Sequence, residues 1–198
     1  MLEAFYYVGC MMQNILAIKT INLGFLIIDT GSFISPFTFA FGDIACELYG
    51  RKKTTKIFTN ACVINFVFSV GMMAVSKIQG VDGYIDDCYS TILGNNLRFV
   101  LASAIAFYVG NISNAYIMTG AKGAYGKRAI VSTIIGQFFD NAIFFIIAYA
   151  PLGINVWEMG WKDIFVMVLT GTIWEVIIEA TTVPLSKNYI ERVKKNNG

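Results

Sequence analysis

Residues 128–150, RAIVSTIIGQFFDNAIFFIIAYA, decide what kind of protein this is. A helix needs about 20 mostly apolar residues to cross the hydrocarbon core of a bilayer. This stretch supplies them, with one basic residue at its head (Arg128) and one acid near its middle (Asp140). On a helix, Arg128, Ser132, Gly136 and Asp140 fall on one stripe with Gln137 beside it, while Ile134, Ile135, Phe138 and Phe139 point elsewhere. The small members of the stripe suit close helix packing, which does not account for Asp140. A charge at mid-bilayer costs about 2.5–3.5 kcal/mol on insertion scales, so such groups face a bundle interior or a cavity.

Five further stretches approach spanning length, at about 4–20, 33–49, 57–76, 97–118 and 163–184. With 128–150 they predict an all-α integral membrane protein, a single transmembrane domain over 1–198 built as a bundle of six transmembrane helices. Pro36 should bend or end the second span near its beginning. Composition agrees: 56% of residues are apolar, 14% are charged, and mean hydropathy is +0.61. Soluble domains carry about a quarter charged residues, so the outer surface is expected to face lipid.

Charge tests the count of spans. Arg51, Lys52, Lys53 and Lys56, then Lys122, Lys127 and Arg128, then Lys187, Arg192, Lys194 and Lys195 fall on one side of a six-helix arrangement. Lys19, Lys77, Arg98 and Lys162 fall on the other, together with Asp82, Asp86, Asp87, Glu158 and Asp163. Because Lys and Arg gather on the cytoplasmic side, both termini are expected inside, in a bacterial cytoplasmic membrane. The N-terminus lacks the basic region and small-residue cleavage site of a signal peptide and reads as the start of the first helix.

The chain has no His and no CxxC, its four Cys standing at positions 10, 46, 62 and 88. That argues against zinc sites, His-ligated haem, a Ser/His/Asp triad and a His proton relay. No catalytic residue, metal or cofactor is predicted. Without GxxxxGK[ST] the chain cannot hydrolyse ATP itself.

Four more acids lie within the predicted spans: Asp43 and Glu47 on one face of the second, Glu175 and Glu179 on one face of the last. Asp43 and Glu47 read either as an interfacial pair neutralised by Arg51 and Lys52, which suits Glu47 better than the deeper Asp43, or as groups that face the bundle interior. Glu175 and Glu179 need either a partner from another helix or a proton. Asn111 and Asn114 extend the polar surface of the fourth span, whose Ala102, Ala106 and Gly110 form a small-residue seam suited to packing within the chain or to a homodimer. Gln13, Asn14, Asn60 and Asn65 are expected to form interhelical hydrogen bonds. With acids on three helices, the interior favours a cation or a ligand rich in hydrogen-bond donors.

Several of these residues also form a pattern. Ser35-Pro36-Phe37-Thr38-Phe39, then Asp43, then Glu47-Leu48-Tyr49-Gly50-Arg51-Lys52 resembles the signature of the queuosine-precursor transporters, also called the vitamin uptake transporter family. Asn14 and Lys19 are similar to its first-helix motif, Arg128, Ser132, Gly136, Gln137, Asp140 and Phe144 to its fifth, and Glu179 and Pro184 to the end of its last helix. The resemblance implies uptake of a 7-deazaguanine precursor of the tRNA base queuosine, in its nitrile or aminomethyl form, or of salvaged queuine. It implies no nucleic-acid partner.

One carboxylate can accept the adjacent N1–H and exocyclic amine of a guanine-like edge, and a flat base can stack on aromatic rings. Asp140 with Gln137 is the predicted edge, with Asp43 or Glu179 as a second acceptor and Asn14, Asn111, Asn114, Glu175 and Phe144 around it. The family often carries Gln and Asp where this chain has Asn111 and Asn114, and Lys where it has Glu175. That last difference predicts a preference for a cationic base. Other readings stand beside an autonomous carrier of these bases. Two are also concerned with uptake: a carrier for another small polar heterocycle, and the substrate-binding subunit of an energy-coupling-factor importer that works with an ATPase module. The others are a small intramembrane enzyme, against which the missing nucleophile arrangement weighs, and a purely structural membrane protein, which would have little use for Asp140.

Overall fold

Six helices carry the fold in the computed structural model, which describes residues 2–17, 19–22, 24, 27–94, 97–153 and 158–196. They are α1 (Leu2–Leu16), α2 (Ser35–Val75), α3 (Gly83–Tyr89), α4 (Leu97–Gly120), α5 (Tyr125–Tyr149) and α6 (Trp161–Asn196). Two three-residue strands, β1 (Thr20–Asn22) and β2 (Ile27–Asp29), pair antiparallel between α1 and α2, with Thr20 opposite Asp29. Among the described residues, four helices are long and apolar enough to cross a membrane: α2, α4, α5 and α6. The protein is thus an all-α membrane protein.

The first predicted span ends early. At 1.5 Å per residue, the 15 residues of α1 reach only ~22 Å, and the chain then turns into the β1–β2 hairpin. Ile18, inside that predicted span, lies outside the described residues. Thr30 anchors the hairpin by donating its hydroxyl hydrogen to the carbonyl of Leu16, and Thr170 of α6 donates to the carbonyl of Ile27 at 2.9 Å.

The second and third predicted spans are joined with no loop between them. Only Gly50 departs from helical geometry within α2, at φ 74° and ψ 166°, a backbone conformation that costs glycine little. A Cβ built on Gly42 would lie 3.0 Å from Cζ of Phe58. In a straight helix these residues would be separated by ~24 Å, so the chain reverses at Gly50 into two antiparallel arms, 35–49 and 51–75. Pro36 sits in the first turn of the first arm, where its missing N–H costs nothing. In α6 the predicted end at 184 is overrun, and the helix continues through Pro184 to Asn196.

Lipid-type amphipathy explains the packing. Phe138 and Phe139 are each 43% exposed, while Ser132 and Gln137 on the opposite face of α5 are fully buried. The seam on α4 is used inside the chain: Ala102 and Ala106 are buried, and Gly110 meets α5 at Gly136. A Cβ on Gly110 would fall 2.8 Å from that of Asp140, and one on Gly136 would fall 2.8 Å from Phe39 and 3.0 Å from the Cβ of Asn114. Gly136→Ala is therefore expected to destabilise the bundle by about 1–3 kcal/mol through overpacking, read as a lowered melting temperature in detergent. An unchanged melting point would mean that α4 and α5 do not approach this closely.

Helix ends from distant parts of the chain meet at two opposite faces. Glu47 at the end of the first α2 arm, Arg128 at the start of α5 and Lys194 near the end of α6 form one cluster. At the other face, Arg98 near the start of α4 donates to the carbonyls of Ile147 and Ala150 and pairs with Glu158 at 3.5 Å. The long helices thus run antiparallel in turn. An apolar cluster of Phe144, Phe145, Ala148, Tyr149, Ile164, Met167 and Val168 fills the Arg98 end. A second, including Tyr6, Cys10, Ile57, Phe58, Phe107 and Met118, joins α1 to α2 and α4.

Candidate substrate-binding site

A cavity of about 30 Å³ opens where α1, the second arm of α2, α4 and α5 converge. Asp140 and Phe144 of α5, Gln13 and Asn14 of α1, Asn65 of α2, and Ser103 and Phe107 of α4 line it. Asp140 is 7% exposed, and its Oδ1 has no hydrogen-bond partner. Oδ1 of Asn65 is also unpartnered. A buried carboxylate surrounded by amides, with an unused acceptor, is equipped to take hydrogen-bond donors from a guest.

The amides of α1 are held in place by α2. Asn14 donates to the Ser69 hydroxyl at 2.7 Å, and Oε1 of Gln13 accepts from Thr38 at 3.1 Å. The volume is large enough for water but far below the ~300–1,000 Å³ of small-molecule pockets.

Seven of the nine predicted site residues fall into three groups, and Gln137 and Asn111 stand apart from them. Asp140, Asn14 and Phe144 line the cavity. Gln137, one turn from Asp140, turns instead to α2 and donates to the Ser35 hydroxyl at 3.0 Å. Asn111 accepts from the Tyr6 hydroxyl at 2.7 Å and donates to the carbonyl of Phe107 at 2.8 Å.

Asp43, Asn114 and Glu179 form the second group: Asn114 donates to Asp43 at 2.6 Å, and Glu179 accepts from Thr133 at 2.6 Å. Glu175 makes a third, accepting from Asn141 at 2.6 Å. Neither of the latter groups lines the cavity.

Two interfacial expectations change partners. Glu47 is neutralised by Arg128 and Lys194, each at 2.7 Å, rather than by Arg51 and Lys52. Arg51 stacks instead over the ring of Tyr116, 4.4 Å from its centroid. Asn60 is exposed rather than bonded between helices.

Sequence reading missed Ser103, Asn141 and Asp29. Buried Asp29 caps the turn before α2, accepting from the Ser32 N–H at 3.1 Å, and sits close enough to Asp140 and Glu175 to act on both electrostatically. Ser103 carried no signal beyond one hydroxyl in an apolar helix.

A family described as "putative vitamin uptake transporter" matches residues 29–187, which run from Asp29 through α2, α4 and α5 into α6. The chain belongs to this vitamin uptake transporter family. It is a multi-pass membrane protein that takes up a small molecule, and the buried polar layer above is the transporter's interior. Asn14 and Lys19 lie before the matched stretch. No curated protein and no solved structure matches the chain.

Proposed function

We propose that this transporter carries a 7-deazaguanine precursor of queuosine, or salvaged queuine, into the cell across a bacterial cytoplasmic membrane. In this reading six segments cross the bilayer, namely α1 with the hairpin after it, the two arms of α2, α4, α5 and α6, and both termini, with the Arg128 face, are cytoplasmic. The observation that carries it is Asp140: a buried carboxylate on a cavity wall, with one oxygen unused. The N1–H and exocyclic amine of a guanine-like base present two parallel donors that one carboxylate accepts together, and a charged acceptor makes such bonds about twice as strong as neutral ones.

Phe107 and Phe144 supply faces against which the ring can stack. Asn14, Gln13 and Asn65 provide further polar contacts. Glu175, spent on Asn141, is poorly placed to choose directly between the nitrile and the aminomethyl base. Binding moves the α1 wall outward from α4 and α5, since the base exceeds the cavity's volume.

Uptake of radiolabelled 7-aminomethyl-7-deazaguanine by proteoliposomes holding this chain alone tests the reading. Saturable uptake, competed by the unlabelled nitrile form, is expected. If uptake appears only with an added ATPase module, the carrier is not autonomous, and if neither preparation transports the base, the substrate is wrong.

A further inference from the structure

The second group of polar residues has a different chemistry from the cavity. Its unused atoms are all acceptors: Oδ2 of Asp43, Oδ1 of Asn114 and Oε2 of Glu179 have no hydrogen-bond partner. All three side chains are at least nine-tenths buried. Their other polar atoms are spoken for, by the Asn114–Asp43 bond and by the Thr133 hydroxyl on Glu179. Ser132, whose hydroxyl bonds the carbonyl of Ala129 at 2.9 Å, is also within reach of Asp43; turned to it, the hydroxyl still leaves Asn114 Oδ1 and Glu179 Oε2 without a donor. Asp43 and Glu179 act on each other electrostatically, and two buried carboxylates so placed cannot both keep a negative charge cheaply.

A deficit made only of acceptors is met by something that brings a donor. Three oxygens are few for a hard metal ion, since calcium takes six to eight. A proton needs only one carboxyl oxygen, which then becomes a donor to a neighbour.

We infer that Asp43 and Glu179 form a proton-carrying site, separate from the substrate cavity, that holds one proton between them and moves it with the substrate. This rests on the transporter reading. The proton adds to one carboxylate as the site loads, giving a neutral acid beside an anion, and leaves as the same O–H bond breaks on release; nothing else is consumed. The titratable and charged groups facing the pair are Arg128 and Tyr125 from α5, Glu175 from α6, and Cys46 and Glu47 from α2. From α4 comes the Asn114 amide. Arg128 is engaged with Glu47, so it does not fully neutralise the pair.

Two measurements test the site. Infrared spectra of the reconstituted protein at neutral pH count protonated carboxylic acids by their carbonyl stretch. Wild type minus the near-isosteric double variant D43N/E179Q should leave one carboxyl equivalent, whereas none, or two, overturns the shared proton.

The second measurement is accumulation of labelled 7-aminomethyl-7-deazaguanine under a gradient of one pH unit, alkaline inside. Coupling to one proton caps accumulation by that gradient alone at about tenfold. Wild type should approach this ratio while acidifying a trapped dye. D43N/E179Q should equilibrate the base without accumulating it. Wild-type uptake that ignores the gradient overturns the coupling. Wild type failing to carry the base at all counts against the substrate reading, and the infrared count then decides this one.

Discussion

Replacing Asp140 by asparagine is expected to weaken base binding by about 3 kcal/mol, roughly 150-fold in Kd. The carboxylate offers only acceptors, and each hydrogen bond to a charged group contributes about 1.5–3 kcal/mol. Asparagine keeps one neutral acceptor and places an amino group where the second acceptor stood, facing the base's own donors. Calorimetry with 7-aminomethyl-7-deazaguanine on wild type and D140N reads the effect directly. An analogue lacking the exocyclic amine should lose affinity for wild type but little for D140N, the signature of a direct contact in a double-mutant cycle.

Loss of folding would not account for such a result. Asp140 carries an unpaired oxygen in a buried position, so an amide there should leave the melting temperature equal or higher, as is common where function holds a strained group. Glu175→Gln, outside the cavity lining, is the matched control and should change Kd less than about threefold. A D140N Kd within about threefold of wild type would remove Asp140 from the site.

What could be read in advance was what helical period reveals. In α5 the 3.6-residue repeat put Ser132, Gly136, Gln137 and Asp140 on one side and Phe138 and Phe139 on the other, and burial follows that division. Period gives the face of a helix but not the helix it meets. Gln137 and Asp140 share a side of α5, yet one bonds Ser35 of α2 and the other lines a cavity with α1 and α4.

The hairpin was illegible for a different reason. Strands of three residues are too short to show alternation, and their support is tertiary, through Leu16 and Thr170. At Gly50 the four basic residues that follow looked like a loop. One glycine with positive φ suffices to reverse the chain, leaving those residues on the second arm of the hairpin. Glu47 found Arg128, 81 positions away, rather than its sequence neighbours, because α4 packs against both α2 and α5 and so fixes where their ends meet.

That pair leads to the second large effect, an opening of the face on which Glu47, Arg128 and Lys194 meet. The guanidinium of Arg128 holds three acceptors at once: Oε2 of Glu47 at 2.7 Å and the carbonyls of Met118 at 2.8 Å and Gly123 at 3.1 Å. It therefore ties the first arm of α2 and the end of α4 to α5, while Lys194 adds α6 through the other oxygen of Glu47. Arg128→Ala should cost the closed face about 2–3 kcal/mol, the worth of charge-assisted bonds lost from a partly buried pair. A shift of that size moves a closed–open equilibrium by roughly 30–150-fold.

Cys46, buried and next to Glu47, is a built-in reporter. In a chain with Cys10, Cys62 and Cys88 replaced by alanine, its rate of labelling by an impermeant maleimide should rise at least about 30-fold in R128A. Lysine at 128 should only partly restore protection, because a single ammonium lacks the planar fork that reaches separate acceptors. Lys194→Ala should change the rate less than about threefold, since its ammonium is largely exposed. A chain keeping only Cys10, on the cavity wall of α1, separates opening of this face from general loosening: it should stay protected in R128A. Equal labelling of Cys46 with and without Arg128 would show that the cluster decorates this face without closing it.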